Sequence, residues 1–78
     1  MTKYQEAEAV VRRFAKRLRQ KRHEQDLTVR GLASRVPGMS MNLISATETG
    51  RTTPTLISAL LICEALGVTL EEMLRGET

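Results

Sequence analysis

Proline and glycine residues divide this chain into short intervals, and no interval alternates apolar and polar residues as a half-buried β-strand does. The breaks fall at Pro37-Gly38, Gly50, Pro54, Gly67 and Gly76. The intervals between them have the lengths and the apolar spacing of amphipathic helices. The sequence therefore predicts an all-α fold of five helices, and its 78 residues suffice for one small domain over residues 1–78.

The first predicted helix is the longest and runs from about Tyr4 to Gln25. Its apolar residues recur at the i, i+3, i+4, i+7 spacing of one helix face. They are Ala7, Val10, Val11, Phe14 and Leu18. The basic residues of this segment fall mostly on the other face, so we expect an extended helix with one buried side.

Capping residues predict the second and third helices. Thr28 is a suitable N-cap for a helix that extends to Val36, where the following proline stops it. Ser40 caps a third helix over residues 41–49. Gly50 ends this helix in the left-handed conformation that glycine adopts without strain.

Two further helices are predicted from the same kind of signal. Thr55 opens a fourth helix that extends to Leu66, and the glycine that follows closes it. Thr69 and Glu72 form a capping box, with Thr at the cap and Glu three residues on. This box starts a short fifth helix that ends near Gly76.

Positive charge is concentrated in one segment of the chain. Of the 12 Lys and Arg residues, seven lie in residues 12–22, which contain no acidic residue, and five remain with all nine acidic residues elsewhere. Such a segment is typical of a solvated helix face, of a nucleic-acid-binding surface or of a surface that meets anionic membranes. Composition alone does not separate these three interpretations.

Groupings that carry catalysis or bind metals are scarce. One Cys and one His cannot supply the four protein ligands of a structural zinc site. The sequence contains no Gly-rich phosphate loop, and we interpret His23 as a surface residue and Cys63 as a small buried hydrophobe. We therefore expect a non-enzymatic protein with no metal, no cofactor and no small-molecule ligand.

Apolar stretches are also short. The longest, Ala59 to Cys63, falls far below the roughly 20 residues that a membrane-spanning helix needs. The first six residues lack the apolar core of a signal peptide. We therefore expect a cytoplasmic protein without a membrane partner.

The segment from Leu27 to Leu56 carries the most specific pattern. It predicts two short helices joined by a tight turn, with Ala33 in the middle of the first helix and Ile44 in the second. A small residue is needed where the axes of two such helices pass closest. The pattern predicts a helix-turn-helix over about residues 28–49.

Further residues at consistent spacing extend this pattern over about residues 12–75. They are Leu27-Thr28, Leu32-Ala33, Ser40, Ile44-Ser45, Glu48, Gly50-Arg51, Pro54, Leu66-Gly67-Val68 and Leu70-Glu71-Glu72-Met73-Leu74. With these residues the sequence resembles the lambdoid repressor and Cro-like helix-turn-helix family, also called the XRE family. The resemblance implies a five-helix lambda-repressor-like DNA-binding domain, here with an extended first helix.

The sequence departs from the pattern of that family at four places. Val29 stands where the family usually has a Gln, and Gly31 lies inside the second helix. The turn over residues 37–39 is one residue longer than usual. Thr47 occupies a position that is usually apolar.

The resemblance identifies the helix over residues 40–49 as the recognition helix, whose first turns face base edges in the major groove. The expected base contacts are Met41, Asn42, Ser45, Ala46 and Thr49. The amide of Asn42 matches N6 and N7 of adenine together, whereas Met41 and Ala46 have no polar side-chain atoms and can only pack on a thymine methyl. A solvated polar residue near a helix start is the alternative interpretation of Asn42.

Phosphate contacts are expected at helix starts and from flanking cations. The residues that fit are Thr28, Arg30, Ser40, Arg51, Thr52, Thr53 and Arg22, with Arg35 as a weaker candidate and one or two contacts among Arg12, Arg13, Lys16, Arg17 and Arg19. Arg22 and Glu48 match family positions that pair with one another, and this pairing would orient Arg22 toward a phosphate. Structural roles are expected for Ala33, Ile44, Glu48 and Gly50.

The fourth helix carries more apolar residues than a core needs. We expect Leu56, Ala59, Leu60, Cys63 and Leu66 to be buried. Ile57 and Leu61, one turn apart, occupy positions that are usually polar in the family, which indicates a homodimer interface made of Ile57, Leu61, Val68 and Leu70. The alternatives are a core widened by the long first helix and scattered apolar surface residues.

These features predict a bacterial or phage transcriptional regulator, associated with the nucleoid through sequence-specific binding of double-stranded DNA. It would be a homodimeric repressor on an inverted-repeat operator, with RNA polymerase or a second regulatory protein as further partners. Phage or plasmid repressors, restriction-modification controllers and toxin-antitoxin regulators fit equally well. The alternative is a protein-interaction module of the same fold, antitoxin-like or partner-binding, with little DNA affinity because Val29, Met41 and Ala46 are apolar.

Overall fold

The computed structural model describes residues 1–75, and over these residues the chain forms five α-helices and no strand. The helices are α1 (Lys3–Glu24), α2 (Val29–Ala33), α3 (Met41–Glu48), α4 (Leu56–Leu66) and α5 (Leu70–Leu74). The predicted all-α fold with an extended first helix is confirmed. The predicted break at Gly76 lies outside the described residues.

Local capping chemistry accounts for the helix ends. The hydroxyl groups of Thr28, Ser40, Thr55 and Thr69 each accept a hydrogen bond from the amide three residues on, as predicted. A capping box of Thr2 and Gln5 also starts α1, which sequence reasoning missed. Gly50 has a positive φ angle of 77°, so the left-handed end predicted for α3 is confirmed, and Gly67, which closes α4 as predicted, has a φ of 70°.

The capping box at α5 also affects a titrating group. The backbone amide of Thr69 and then its hydroxyl group donate hydrogen bonds to Glu72 Oε1, each at 3.2 Å. These two bonds lower the pKa of Glu72, because they stabilise the ionised carboxylate. Glu72 is therefore charged at neutral pH at the N-terminus of α5, where a negative charge is favourable.

The second helix is shorter than predicted and ends at Ala33 instead of Val36. The amides of Arg35 and Val36 bond to carbonyl groups three residues back, at 2.9 and 3.2 Å, so the chain tightens into turns before Pro37. Val36 is nevertheless buried. A Cβ at Gly31 would lie 3.2 Å from Thr28 Oγ1, so this glycine leaves room for the capping hydroxyl.

The core packs α1 against residues from all four other helices. Its buried apolar members include Phe14, Leu18, Leu32, Ala33, Val36, Ile44, Ala59, Ile62, Cys63, Leu66 and Met73. Burial raises the pKa of the Cys63 thiol, which keeps it protonated and unreactive at neutral pH. None of the helices in residues 1–75 has the length and the apolar character required to cross a bilayer.

The buried face of α4 differs from the prediction. Leu56 and Leu60 are 67% and 47% exposed, whereas Ile62 is fully buried. The core contacts are Ala59, Ile62, Cys63 and Leu66, which follow the i, i+3, i+4, i+7 spacing. The prediction that Leu56 and Leu60 belong to the core is wrong. Helix α4 is apolar on nearly every side, so the spacing of its apolar residues does not show which face is buried.

Candidate nucleic-acid interface

The candidate interface is built on the pair of helices α2 and α3. Ala33 of α2 and Ile44 of α3 are both buried in the core, and the two helices are in contact. The turn between them contains Gly38, which has a positive φ of 71°, and the amide of Met39 bonds to the carbonyl of Val36 at 3.2 Å. This turn fixes the start of α3 relative to α2.

A buried ion pair fixes the other end of α3. Arg22 of α1 donates from Nε to Glu48 Oε2 at 2.6 Å and from Nη2 to Glu48 Oε1 at 3.0 Å, which is a bidentate arrangement. The side chains of Arg22 and Glu48 are only 10% and 5% exposed. The hydrogen bond with Glu48 raises the pKa of Arg22, so the pair stays charged.

The remaining bonds of Arg22 bear on the predicted phosphate contact. Its Nη1 donates to the carbonyl of Leu27 at 2.7 Å, and its Nη2 lies 3.2 Å from His23 Nε2. All three guanidinium nitrogens of Arg22 donate to groups inside the protein, and the phosphate contact predicted for this residue stays a prediction. Arg22 joins α1, the loop before α2 and the end of α3.

Helix α3 has one buried face and one open face. Ile44 and Thr47 are buried, and the Thr47 hydroxyl donates to the carbonyl of Leu43 at 2.7 Å, which satisfies a polar group at a position that is usually apolar. The five residues predicted to contact bases lie together on the opposite face. Met41, Asn42 and Thr49 are exposed, and Ser45 and Ala46 are half-buried.

Two details of this open face did not follow from the sequence. The Thr49 hydroxyl donates to the carbonyls of Ser45 and Ala46 and its oxygen accepts from Arg51 Nε at 3.2 Å, so this side chain is held in place within the protein. Leu43 is 37% exposed at the edge of the face. A residue at the border of a helix stripe gives no clear signal in the sequence.

The residues predicted to contact phosphates flank α3. Thr28, Arg30, Ser40, Arg51 and Thr53 are exposed and Thr52 is half-buried, whereas Val29 packs against the core. Arg35 is exposed as well. The amides of Arg51 and Thr52 both bond to the carbonyl of Ala46, at 2.9 and 3.3 Å, so the loop after α3 is folded onto the end of that helix.

The cations of α1 divide into groups with different surroundings. Arg13 Nη1 donates to the carbonyl of Leu74 at 2.9 Å, and Arg17 Nη1 donates to the carbonyl of Glu72. These bonds place positive charge at the C-terminal end of α5, where it is favourable. Lys21 pairs with Glu24 at 3.5 Å. Sequence reasoning missed the roles of Arg13 and Arg17, since their acceptors are backbone groups far along the chain.

Three further cations of α1 border a groove between α1 and α3. It has a volume of about 520 Å³ and is lined by Arg12, Ala15, Lys16, Arg19, Gln20, His23, Glu48, Thr49 and Gly50. A Cβ at Gly50 would meet nothing within 4 Å, so the glycine leaves this end of the groove open. Thr49 belongs both to the groove and to the open face of α3, which makes the two surfaces continuous.

The residues predicted to form a dimer interface lie in different environments. Ile57 is 72% exposed, whereas Leu61, Val68 and Leu70 are half-buried and pack partly against the core. The exposed Leu56 and Leu60 adjoin Ile57 on α4. The open apolar patch therefore consists of Leu56, Ile57 and Leu60, with Leu61 at its border.

Comparison with known proteins agrees with this arrangement. A family model described as "Helix-turn-helix domain" matches residues 13–75, which is most of the chain. The matched segment includes α2, the turn and α3. No curated protein and no solved structure matches the chain.

Proposed function

The chain belongs to the helix-turn-helix domain family, and from this premise we propose that it is a sequence-specific transcriptional regulator that binds double-stranded DNA. The observation that carries the proposal is the open face of α3. Buried Ile44 and Thr47 hold one side of the helix, the Arg22–Glu48 pair holds its end, and the opposite side is free to enter a major groove.

Base contacts are assigned to the open face of α3. The side-chain amide of Asn42 would form two hydrogen bonds with adenine, with its nitrogen donating to N7 and its oxygen accepting from N6. Met41 and Ala46 would pack on thymine methyl groups, and Ser45 supplies a hydroxyl within the same turn. Thr49 lies at the far end of this face, where its hydroxyl is held by the protein.

Phosphate contacts are assigned to the residues around α3. Ser40 caps α3 and Thr28 caps α2, and hydroxyl groups at these positions are suited to backbone phosphates. Arg30 on α2 and the loop residues Arg51, Thr52 and Thr53 complete the set. Such contacts fix the position of the protein on the duplex without reading its sequence.

We further propose that two copies bind an inverted-repeat operator as a homodimer and act as a repressor by covering it. Two recognition helices must reach half-sites about 34 Å apart, which a symmetric dimer achieves. The apolar patch around Ile57 on α4 is the surface assigned to this contact, together with the half-buried residues Leu61, Val68 and Leu70. RNA polymerase or a second regulatory protein is a further partner on the same promoter.

The proposed function is tested by selecting binding sites from a random duplex pool with the purified protein and titrating the selected duplex against salt. We expect an enriched inverted repeat whose affinity falls as the salt concentration rises, because phosphate contacts release counterions. An unenriched pool with only weak, salt-sensitive binding would contradict the proposal.

The dimer is tested with Ile57→Asp. A charge in the centre of an apolar contact is unpaired and desolvated, so we expect the protein to sediment as a monomer. Binding to the full inverted repeat should weaken by about 10²-fold or more, since the two half-sites are then bound independently. Analytical ultracentrifugation and a binding titration measure the two effects.

Tyr4→Asp is the matched control for this substitution. Tyr4 is 73% exposed, close to the 72% of Ile57, but it belongs to α1 and is not part of the α4 patch. This variant should keep both the sedimentation behaviour and the affinity of the parent protein. Equal behaviour of the two variants would contradict the assigned interface.

A protein-interaction module of the same fold is the second candidate function. The observation that favours it is the exposure of two large apolar residues, Met41 and Leu43, at the start of α3. In this case α3 would bind a partner protein and have little DNA affinity. Loss of partner binding in Leu43→Ala, together with an unenriched duplex pool, would support this function over the first.

A further inference from the structure

Three cations of α1 form a straight row. Arg12, Lys16 and Arg19 follow one another at spacings of four and three residues, which places their side chains on one face of the helix. All three are exposed. Within residues 1–75 they take part in no ion pair, whereas Arg13, Arg17, Lys21 and Arg22 are each bonded to protein groups.

The carboxylate that lines the groove beside this row already has a partner. Glu48 is the only carboxylate among the residues that line the groove beside the row, and both of its oxygens accept from Arg22. The groove therefore has three positive charges on its α1 side, and its lining contains no carboxylate without a partner. A surface of this kind attracts anions from solution.

The position of the row indicates which anion would bind to it. The groove that it lines ends at Thr49 and Gly50, so it continues the open face of α3 at the C-terminal end of that helix. A duplex held by α3 in its major groove brings a sugar-phosphate strand past the end of the helix. The row lies on that side of the domain.

We propose that Arg12, Lys16 and Arg19 form a second phosphate-binding surface, which holds the DNA strand flanking the bases that α3 contacts. The proposal rests on the proposed function and adds to it a set of contacts outside the helix-turn-helix. Arg12 and Arg19 are about 10 Å apart along the helix axis. A single strand carries one charge about every 3.4 Å of duplex axis, so the row is long enough to meet at least two phosphates.

The extended first helix acquires a role in this arrangement. Its buried face completes the core, while the cationic row increases the length of duplex that one domain contacts. Contacts of this kind strengthen binding to all sequences alike and leave the preference among bases unchanged.

The test compares Lys16→Gln/Arg19→Gln with the parent protein on a mixed-sequence duplex and on the duplex selected from a random pool. Each phosphate contact contributes about 0.9 to the slope of log affinity against log salt concentration. We expect the slope of the double variant to be smaller in magnitude by about 1 to 2 on both duplexes. The base preference in a repeated selection should equal that of the parent.

Lys3→Gln/Arg75→Gln is the matched control, because it removes two positive charges at exposed positions outside the groove. This variant should retain the parent slope, which separates a local contact from general attraction by net charge. Circular dichroism should give the same melting temperature for the parent and for Lys16→Gln/Arg19→Gln, since neither side chain makes a hydrogen bond within residues 1–75.

Duplex length provides a second measurement. On a duplex trimmed to the selected bases the two double variants should bind alike, and on a duplex extended beyond them Lys16→Gln/Arg19→Gln should bind more weakly. An unchanged slope in this variant, with sequence selection intact in the parent, would overturn the phosphate-binding surface and leave the proposed function standing. A parent protein that selects no sequence would overturn the proposed function itself.

Discussion

Replacing Glu48 with alanine is expected to lower the free energy of unfolding by about 3 kcal/mol, because it leaves the buried guanidinium of Arg22 without its counter-charge. A folded chain of 78 residues has a total stability of about 4–12 kcal/mol. The loss is therefore a large part of the whole, and the variant should melt at a markedly lower temperature. Chemical denaturation followed by circular dichroism measures the change.

Two further variants show whether burial is the cause. Glu71→Ala removes a similar ion pair with Arg75, at 3.3 Å, but the two side chains are 81% and 55% exposed. Its cost should stay below about 1 kcal/mol. The double variant Arg22→Met/Glu48→Met removes both buried charges and should lie within about 1 kcal/mol of the parent protein. Equal losses of unfolding free energy in Glu48→Ala and Glu71→Ala would contradict burial as the cause of the effect of Glu48→Ala.

Replacing Asn42 with alanine is expected to remove the preference for adenine at one position of the selected site, by about 1–3 kcal/mol. The reason is that alanine offers neither the donor nor the acceptor that match the adenine edge. The fold should be retained, since Asn42 is exposed and alanine is the better helix former. Competition binding with duplexes that differ at single positions measures the loss.

Salt dependence distinguishes this effect from a loss of phosphate contacts. Asn42→Ala should keep the parent slope of log affinity against log salt concentration, whereas a phosphate-contacting residue would change it. Gln5→Ala serves as the control, because it removes an exposed amide from α1 outside the groove. An unchanged base preference in Asn42→Ala would contradict the proposed docking of α3.

Helix boundaries were largely predictable, because they depend on chemistry within four residues. A Thr or Ser hydroxyl and the amide three residues on define each of four starts, and Gly50 and Gly67 define two ends. The end of α2 was less predictable, since residues 34–36 form turns with hydrogen bonds three residues back instead of continuing the α-helix. Local signals therefore specify five helices with small errors in length.

Burial on α4 and the surroundings of the α1 cations were not predictable in the same way. On α4 the apolar residues surround the helix, so only its packing in the core, which includes contacts with α5, determines that Ile62 is buried and Leu60 is not. For Arg13 and Arg17 the acceptors are backbone carbonyls 61 and 55 residues away. Every residue has such a carbonyl, so the sequence does not indicate which one accepts. The face of α3 that would contact bases remains a prediction from the family resemblance.

The bonds between α1 and α5 have a consequence for the order of events during synthesis. Met73 is fully buried and the carbonyls of Leu74 and Glu72 accept from Arg13 and Arg17, so α1 meets several of its partners only when α5 has left the ribosome. Contacts over such sequence separations form late, after the loop between them has closed. In the nascent chain the Arg22–Glu48 pair that holds the end of α3 can therefore form before α5 emerges, whereas the bonds between α1 and α5 form only afterwards.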